Sequence, residues 1–450
     1  MVRTNAESAV ATAIDPRHLY RKITWRLIPY IFLLYILAYL DRVNVGFAAL
    51  DMQRDLHLSN TVYGTGAGIF FFGSALFDLP SNLMLTKVGP RLWIARIMIS
   101  WGVIATAMAF ITGPHSFYVL RFLLGVSEAG FFPGMILYLT YWFPSRERAR
   151  AVAKFMTATS LAGVVGGPLS GWLLKFEGLS GLHGWQWLFL SEGFPSILMG
   201  ISVLYILKDR PDDAPWLTAS EKQYLDAELD RDRKEGGAAT NHNLLDAFKL
   251  PLLWMLCAIC FISQVGVYTV NLWMPVVLNT FVHTGIADKV QAAADAVMIA
   301  RYSTIPYLAA AIFTVIIGWS SDRTGDRRFH IAFCLFLSAI GFAWAGVAHS
   351  LPTALCAFTL GAMGWWSMMG PFWSLPTRVL GGQAAAAGVA LIQITGSFGG
   401  FFGPWLTGRL SDLTHSFSAG LYAISALALL AIVICLSLPI KQRPASNPNI

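Results

Sequence analysis

Gly318-Trp319-Ser320-Ser321-Asp322-Arg323-Thr324-Gly325-Asp326-Arg327-Arg328 is a charged, glycine-punctuated turn set between two long apolar windows. A counterpart lies 236 residues earlier, where Lys87-Val88-Gly89-Pro90-Arg91 separates another pair of apolar windows and Gly89 aligns with Gly325. The same lag pairs Gly167-Pro168 with Gly403-Pro404, and Phe143-Pro144 falls near the position matching Leu375-Pro376. A repeat of this length divides the chain into two halves of like design. Parallel halves with a site between them are a transporter architecture, in which one half rocks against the other.

Working outward from the repeat, the composition is that of a membrane protein. The chain has 450 residues, 56% of them hydrophobic and 13% charged, against about 25% charged in soluble domains. Apolar windows of about 20 residues, enough to cross about 30 Å of hydrocarbon as helix, recur near 27–50, 62–85, 93–112, 116–143, 150–174, 187–207, 252–281, 297–320, 330–349, 353–376, 385–408 and 418–438. The expected fold is an all-α polytopic membrane protein with twelve transmembrane helices in two six-helix pseudo-symmetric halves. The halves cover 27–208 and 251–438, flanked by an N-terminal segment over 1–26, a central loop over 209–250 and a tail over 439–450. The first window is too long for a signal-peptide core and has eleven successors, which makes it a retained span.

Charge sets the orientation. With the N-terminus inside, 25 of the 32 Lys and Arg fall on inner flanks, and cytoplasmic flanks are where positive charge accumulates. Both termini are expected in the cytoplasm of a multi-pass protein of the bacterial inner membrane. Anionic lipid at that surface accounts for the net charge of +7, with no nucleic-acid partner required. The central loop carries a capping-box pattern at Thr218 and Glu221, then Tyr224, Leu225 and Leu229 on one face of a charged surface helix, then a linker from Glu235 to Asn243.

Four ionisable residues break otherwise apolar windows at bilayer depth: Asp41 beside Arg42 in span 1, and Arg121 seven residues before Glu128 in span 4. A charge at the bilayer centre costs roughly 2.5–3.5 kcal/mol on insertion scales, so such groups face a protein cavity and are functional candidates. Arginine stays protonated under ordinary conditions, which leaves Asp41 and Glu128 to carry protons. With both acids protonated, Arg42 and Arg121 are free to grip a carboxylate in bidentate fashion. Anion binding and protonation then favour one another, and that linkage is reciprocal. The bland alternative is two structural ion pairs locking spans 1 and 4. Tyr35 and Tyr39 lie one turn apart just before the Asp-Arg pair, and Trp373 lies in an aromatic run of span 10; their rings with polar edges suit a cavity wall. Asp78 and Glu192 are read as structural, and Arg301 as snorkelling to the interface.

The turn Gly318-x-x-x-Asp322-Arg323-x-Gly325-x-Arg327-Arg328 resembles the signature loop of the major facilitator superfamily. The phrases Tyr39-Leu40-Asp41-Arg42-Val43-Asn44-Val45-Gly46-Phe47-Ala48, Pro80-Ser81-Asn82-Leu83, Arg121 through Pro133, and Phe372-Trp373-Ser374-Leu375-Pro376 are similar to the anion:cation symporter family, its tartrate, rhamnonate and phthalate permeases above all. The resemblance spans nearly the whole chain. It implies proton coupling at Asp41 and Glu128, substrate contacts at Arg42, Arg121, Tyr39, Tyr35, Asn44, Trp373 and Gln393, and gating by Asp322, Arg323, Gly325 and Arg327. Two departures stand out: Thr86 replaces the usual Asp in the first-half loop, making its gating contact asymmetric, and Gln393 stands where many members carry Asn. The function expected is proton-coupled symport of a small organic anion by a monomer, without catalytic residues, metal or cofactor. No Gly-x-x-x-x-Gly-Lys-[Ser/Thr] loop occurs, so the chain shows no P-loop site for ATP. The alternatives are an exchanger or antiporter of the same fold, suggested by Gly163 through Gly171, a symporter for an aromatic carboxylate, and a polytopic membrane enzyme, for which no residue cluster is present. Cys257 and Cys260 sit one turn apart inside an apolar span with no second pair, and are expected to pack rather than bind metal.

Overall fold

The computed structural model describes residues 14–236, 250–282, 289–376 and 382–439. Among them, ten helices are long and apolar enough to cross a membrane. Span 5, Ser145–Leu174, has a charged first turn, and span 10 is split into Leu351–Ser367 and Met369–Trp373; these complete the twelve. Spans 1, 3, 4, 7 and 10 open with proline in the first helical turn, where its missing N–H costs nothing and its fixed φ suits the helix. Much of the expected linker, from 237 onward, and most of the tail lie outside the described residues.

Span 4 departs from the continuous helix expected over 116–143. It is two helices, Pro114–Glu128 and Phe131–Thr140, joined through Ala129 in extended conformation and Gly130 at φ 81°. Positive φ is routine only for glycine. The break frees the Gly130 N–H, which donates to Asp78 Oδ1 of span 2 at 2.7 Å. Asp78 accepts this hydrogen bond across the break, and Glu128 is the last residue of a helix rather than a mid-helix group.

The two halves meet on the face remote from the chain's ends. There Tyr63 of span 2 donates to Val45 O of span 1 and Leu272 O of span 7, at 3.2 and 3.1 Å. A Cβ on Gly64 would stand 2.3 Å from Pro404 O of span 11, a separation only glycine permits. Asp412, near the end of span 11, accepts from the Asn60 and Thr61 N–H groups that begin span 2, at 3.1 and 2.7 Å. Toward the opposite face the halves have parted. Gly400 of span 11 abuts Phe71 and Tyr268, whereas Gln393, two turns away on the same side of that helix, is exposed. Beyond Phe72, which meets Phe398 at 5.8 Å, span 2 leaves Leu76, Leu79 and Leu83 uncovered. The structure is therefore a cleft closed at one face and open at the face where span 1 begins.

On that open face the surface helix, Ala219–Gly236, carries the expected capping box: Thr218 N–H donates to Glu221 at 2.8 Å and Glu221 N–H to Thr218 Oγ1 at 3.2 Å. Leu225 and Leu229 are buried. Lys22 pairs with Glu221 at 2.8 Å, Asp232 caps Ser145 N–H at 3.0 Å, and Trp216 stacks on Trp142 at 5.6 Å. The helix is fastened to the N-terminal half. Partial burial of the Glu221 carboxyl is outweighed by Lys22 and the Thr218 donors, which hold it below its ordinary range.

The repeated turns are built differently. Gly325 ends span 8, and Arg327 donates to Asp322 Oδ1 at 2.5 Å and Ser321 Oγ at 2.7 Å, while Arg323 lies over the Trp319 ring. Arg328 reaches the last carbonyls of span 12. In the first half Thr86 only returns to Leu83 O, and Asp209, arriving after span 6, caps Arg91 N–H at 2.8 Å. The two loops therefore differ in their hydrogen bonds, and Asp209, distant in sequence, serves the first-half turn. Cys257 and Cys260 are free and buried, and no metal-binding group of His, Cys, Asp and Glu occurs among the described residues.

Candidate functional site

Asp41 and Arg42 are neighbours in sequence, and adjacent residues on a helix point about 100° apart. Their side chains leave span 1 in different directions, each to its own partner. Arg42 crosses to span 4 and donates through one terminal nitrogen to Glu128 Oε1. The arginine side chain is 20% exposed and the carboxylate 4%, so the pair sits at the cleft wall with its cationic partner outermost. The break after Glu128 sets this geometry, because a helix-terminal residue can lean toward span 1 where a mid-helix one is held by its own turn. The pairs of the bland alternative are thus re-partnered: Glu128 joins Arg42 and not Arg121.

Arg121 is 1% exposed and turned to span 2, where it donates to Ala67 O at 2.9 Å and Gly66 O at 3.4 Å. Its guanidinium and that of Arg42 lie against the Phe70 ring, 4.9 and 5.7 Å from the centroid. A desolvated cation over an aromatic face gains about 2 kcal/mol, which helps hold two like charges near one another.

Asp41, 2% exposed, turns into the N-terminal half. Asn44 Nδ2 donates to its Oδ1 at 3.2 Å, and Glu192 of span 6 is its foremost charged neighbour, with Ser196 and Trp101 alongside. Asn44 therefore serves Asp41 and is 1% exposed, away from the cleft. Tyr35 is enclosed by Phe131, Phe132 and Phe155. Tyr39 lies at the junction of the halves, beside Tyr268, Trp366 and Asn271. Trp373 packs edge-on against Phe372 at 5.4 Å, and Gln393 faces the open part of the cleft.

Three residues of the C-terminal half complete the wall and were not singled out from the sequence. Tyr268 lies against Arg42 and Glu128, its ring 4.0 Å from Phe71. Tyr307 donates to Asn271 Oδ1 at 2.8 Å and meets Trp366 edge-on at 5.6 Å. The signal was present: Gln264, Tyr268 and Asn271 are polar residues spaced four and three apart in an apolar span, one face of a helix. The site thus offers one accessible guanidinium, one carboxylate bound to it, and phenol, amide and indole edges from the facing half.

This arrangement of two six-helix halves around a charged cleft agrees with the comparison of sequences. The chain matches the Major Facilitator Superfamily over residues 31–404 and 303–449. It belongs to that superfamily. A protein of Agrobacterium vitis described as a "Putative tartrate transporter" is 44% identical over 432 residues, covering 96% of this chain and 94% of its own. A quinolone resistance transporter of Acinetobacter baumannii is 40% identical, covering 92% of this chain and 93% of its own. The solved structure of a bacterial homologue of the human lysosomal transporter Spinster, inward-facing and occupied, superposes with a TM-score of 0.72 at 18% identity, covering 94% and 97% of the two chains. That likeness establishes the fold. The resemblance drawn from the signature loop is borne out, and this major facilitator protein is a transporter by family.

Proposed function

We propose that this protein is a proton-coupled symporter that takes up a small organic anion, such as tartrate or a sugar acid, by alternating access. The observation that carries the reading is the Arg42–Glu128 contact at the cleft wall. A guanidinium fork matches one carboxylate at a time in bidentate fashion, so Glu128 and a substrate carboxylate compete for Arg42. Protonating Glu128 removes the competitor and leaves a cation facing the cleft. A bound anion in turn favours the protonated form, by linkage. Asp41 supplies a second proton site, and Tyr39, Tyr268 and Asn271 offer hydrogen-bonding edges to a polyhydroxy acid. The Arg-rich face is the cytoplasmic one, so the cleft opens inward. Each charge crossing 100 mV then contributes about 2.3 kcal/mol to accumulation. The name of the Agrobacterium vitis relative supports the substrate class.

The test is uptake of labelled tartrate, rhamnonate, galactonate and phthalate into proteoliposomes with an inward proton gradient, wild type beside Glu128→Gln. One acid accumulates in the wild type, and the variant exchanges that acid without concentrating it. Equal counterflow in both proteins, with no gradient-driven accumulation, overturns the proposal. A second reading, exchange or export, is favoured by the Acinetobacter baumannii relative and by the packing of Gly167 and Gly171 of span 5 against Ala300 and Val297 of span 8, where the antiporter-like sequence falls.

A further inference from the structure

Glu192 has a place in this protein that its sequence reading as a structural residue does not explain. It is 4% exposed, and among the described residues no basic side chain pairs with its carboxylate. Beside it stand Asn44 and Ser170, and beyond Asn44 lies Asp41. Spans 1, 3, 5 and 6 thus enclose a group of buried polar side chains: Asp41, Asn44, Ser170, Trp101 and Glu192. Asn44, Trp101 and Ser170 are each at most 1% exposed. Asn44, Ser170 and Trp101 are neutral, so two buried acids share one site with no base of that group to balance them.

The charges around the group narrow what that is. Span 4 brings Glu128, committed to Arg42, and Arg121, committed to the carbonyls of Gly66 and Ala67. Spans 3 and 5 bring only Trp101 and Ser170, and span 6 adds Ser196, whose hydroxyl returns to Glu192 O at 3.3 Å. Among the described residues no basic side chain pairs with either acid. Two carboxylates in one dry site cannot both ionise, and such pairs hold a proton in common. The group includes an indole N–H, which only donates, whereas a hard metal ion asks for oxygens. A proton on either acid relieves the repulsion between the two carboxylates.

We propose that Asp41 and Glu192, bridged by Asn44, hold one proton between them, so that Glu192 belongs to the proton-coupling machinery. This deepens the symport reading above and rests on it. Infrared spectroscopy of the purified full-length protein in lipid, titrated with pH, reads the carbonyl stretch of protonated carboxyl groups with no substrate present. In Glu192→Gln and in Asp41→Asn the component from the remaining acid persists with its midpoint displaced by about one pH unit or more. The double variant lacks the component. A midpoint unchanged in both single variants, each read on a Glu128→Gln background that removes the signal of that acid, overturns the proposal. Each single variant tests the same coupling from its own side, so a folding failure in one leaves the other decisive. A protein that imports none of the carboxylates can pass this test, and one that imports tartrate with protons can fail it, which separates the two readings.

Discussion

Asp412 is the residue whose loss should most directly unlatch the closed face. The first four N–H groups of a helix have no partner within it. At the start of span 2, Val62 N–H is met by Ser59 Oγ at 3.2 Å and Tyr63 N–H by Ser59 O at 2.9 Å. Asn60 and Thr61 depend on the Asp412 carboxylate, which reaches them from the other half at 3.1 and 2.7 Å. The carboxylate also meets the positive end of the helix dipole. Loss of an N-cap costs about 0.5–2 kcal/mol. Water can replace the acceptor at this partly exposed site, which holds the estimate for Asp412→Ala to about 1–2 kcal/mol. The contact exists only while the halves are closed on this face, so the whole loss falls on that state. That is a roughly 5- to 30-fold shift in population toward the form open on this face. Asp412→Asn keeps one oxygen acceptor and shifts the balance less. Spin labels at Thr112 and His349, on a background with the five native cysteines replaced, report the separation by double electron–electron resonance in liposomes. An Asp412→Ala protein that is folded and shows the wild-type distance distribution would refute the reasoning.

Two further outcomes follow from the same contacts. Gly64→Ala places a methyl group 2.3 Å from Pro404 O, backbone that cannot turn aside; the same label pair should report a population held open on that face, and exchange should fall while binding from the open side survives. Lys22 and Glu221 hold the surface helix to span 1, and a double-mutant cycle on thermal stability should give about 0.5 kcal/mol for this partly exposed pair. Since the folded Glu221 titrates below its ordinary range, that coupling is complete above about pH 4.3 and disappears as the pH falls through the lower folded value; a coupling that grew on acidification would contradict the assignment.

The sequence made the architecture legible because its causes are local. Apolar runs long enough to span, prolines at helix starts, the capping box of Thr218 and Glu221, and the repeat linking Gly89 to Gly325 each act over a few residues or by simple alignment. The candidate charges were legible for a related reason: a bilayer tolerates few ionisable groups, so Asp41, Arg42, Arg121 and Glu128 stand out wherever they fold. Their partners were not legible. The sequence distance between Arg121 and Glu128 suggested a pair, but the break at Gly130 ends the helix at Glu128 and lets it meet Arg42 instead. Thr86 signalled a missing acid, and only the packed chain shows Asp209 capping the Arg91 N–H of that turn.

The sequence alone therefore determined that this is a two-half, twelve-span transporter with carboxylates and arginines at depth, because helix length, burial cost and charge bias are properties of short segments. Only the tertiary structure decided which acid meets which base, that Arg121 is spent on span 2, that Tyr268, Asn271 and Tyr307 complete the wall, and that Glu192 stands with Asp41. Those outcomes depend on the direction in which side chains leave helices far apart in the chain, and on one glycine-permitted break that turns a carboxylate from its own helix toward its neighbour.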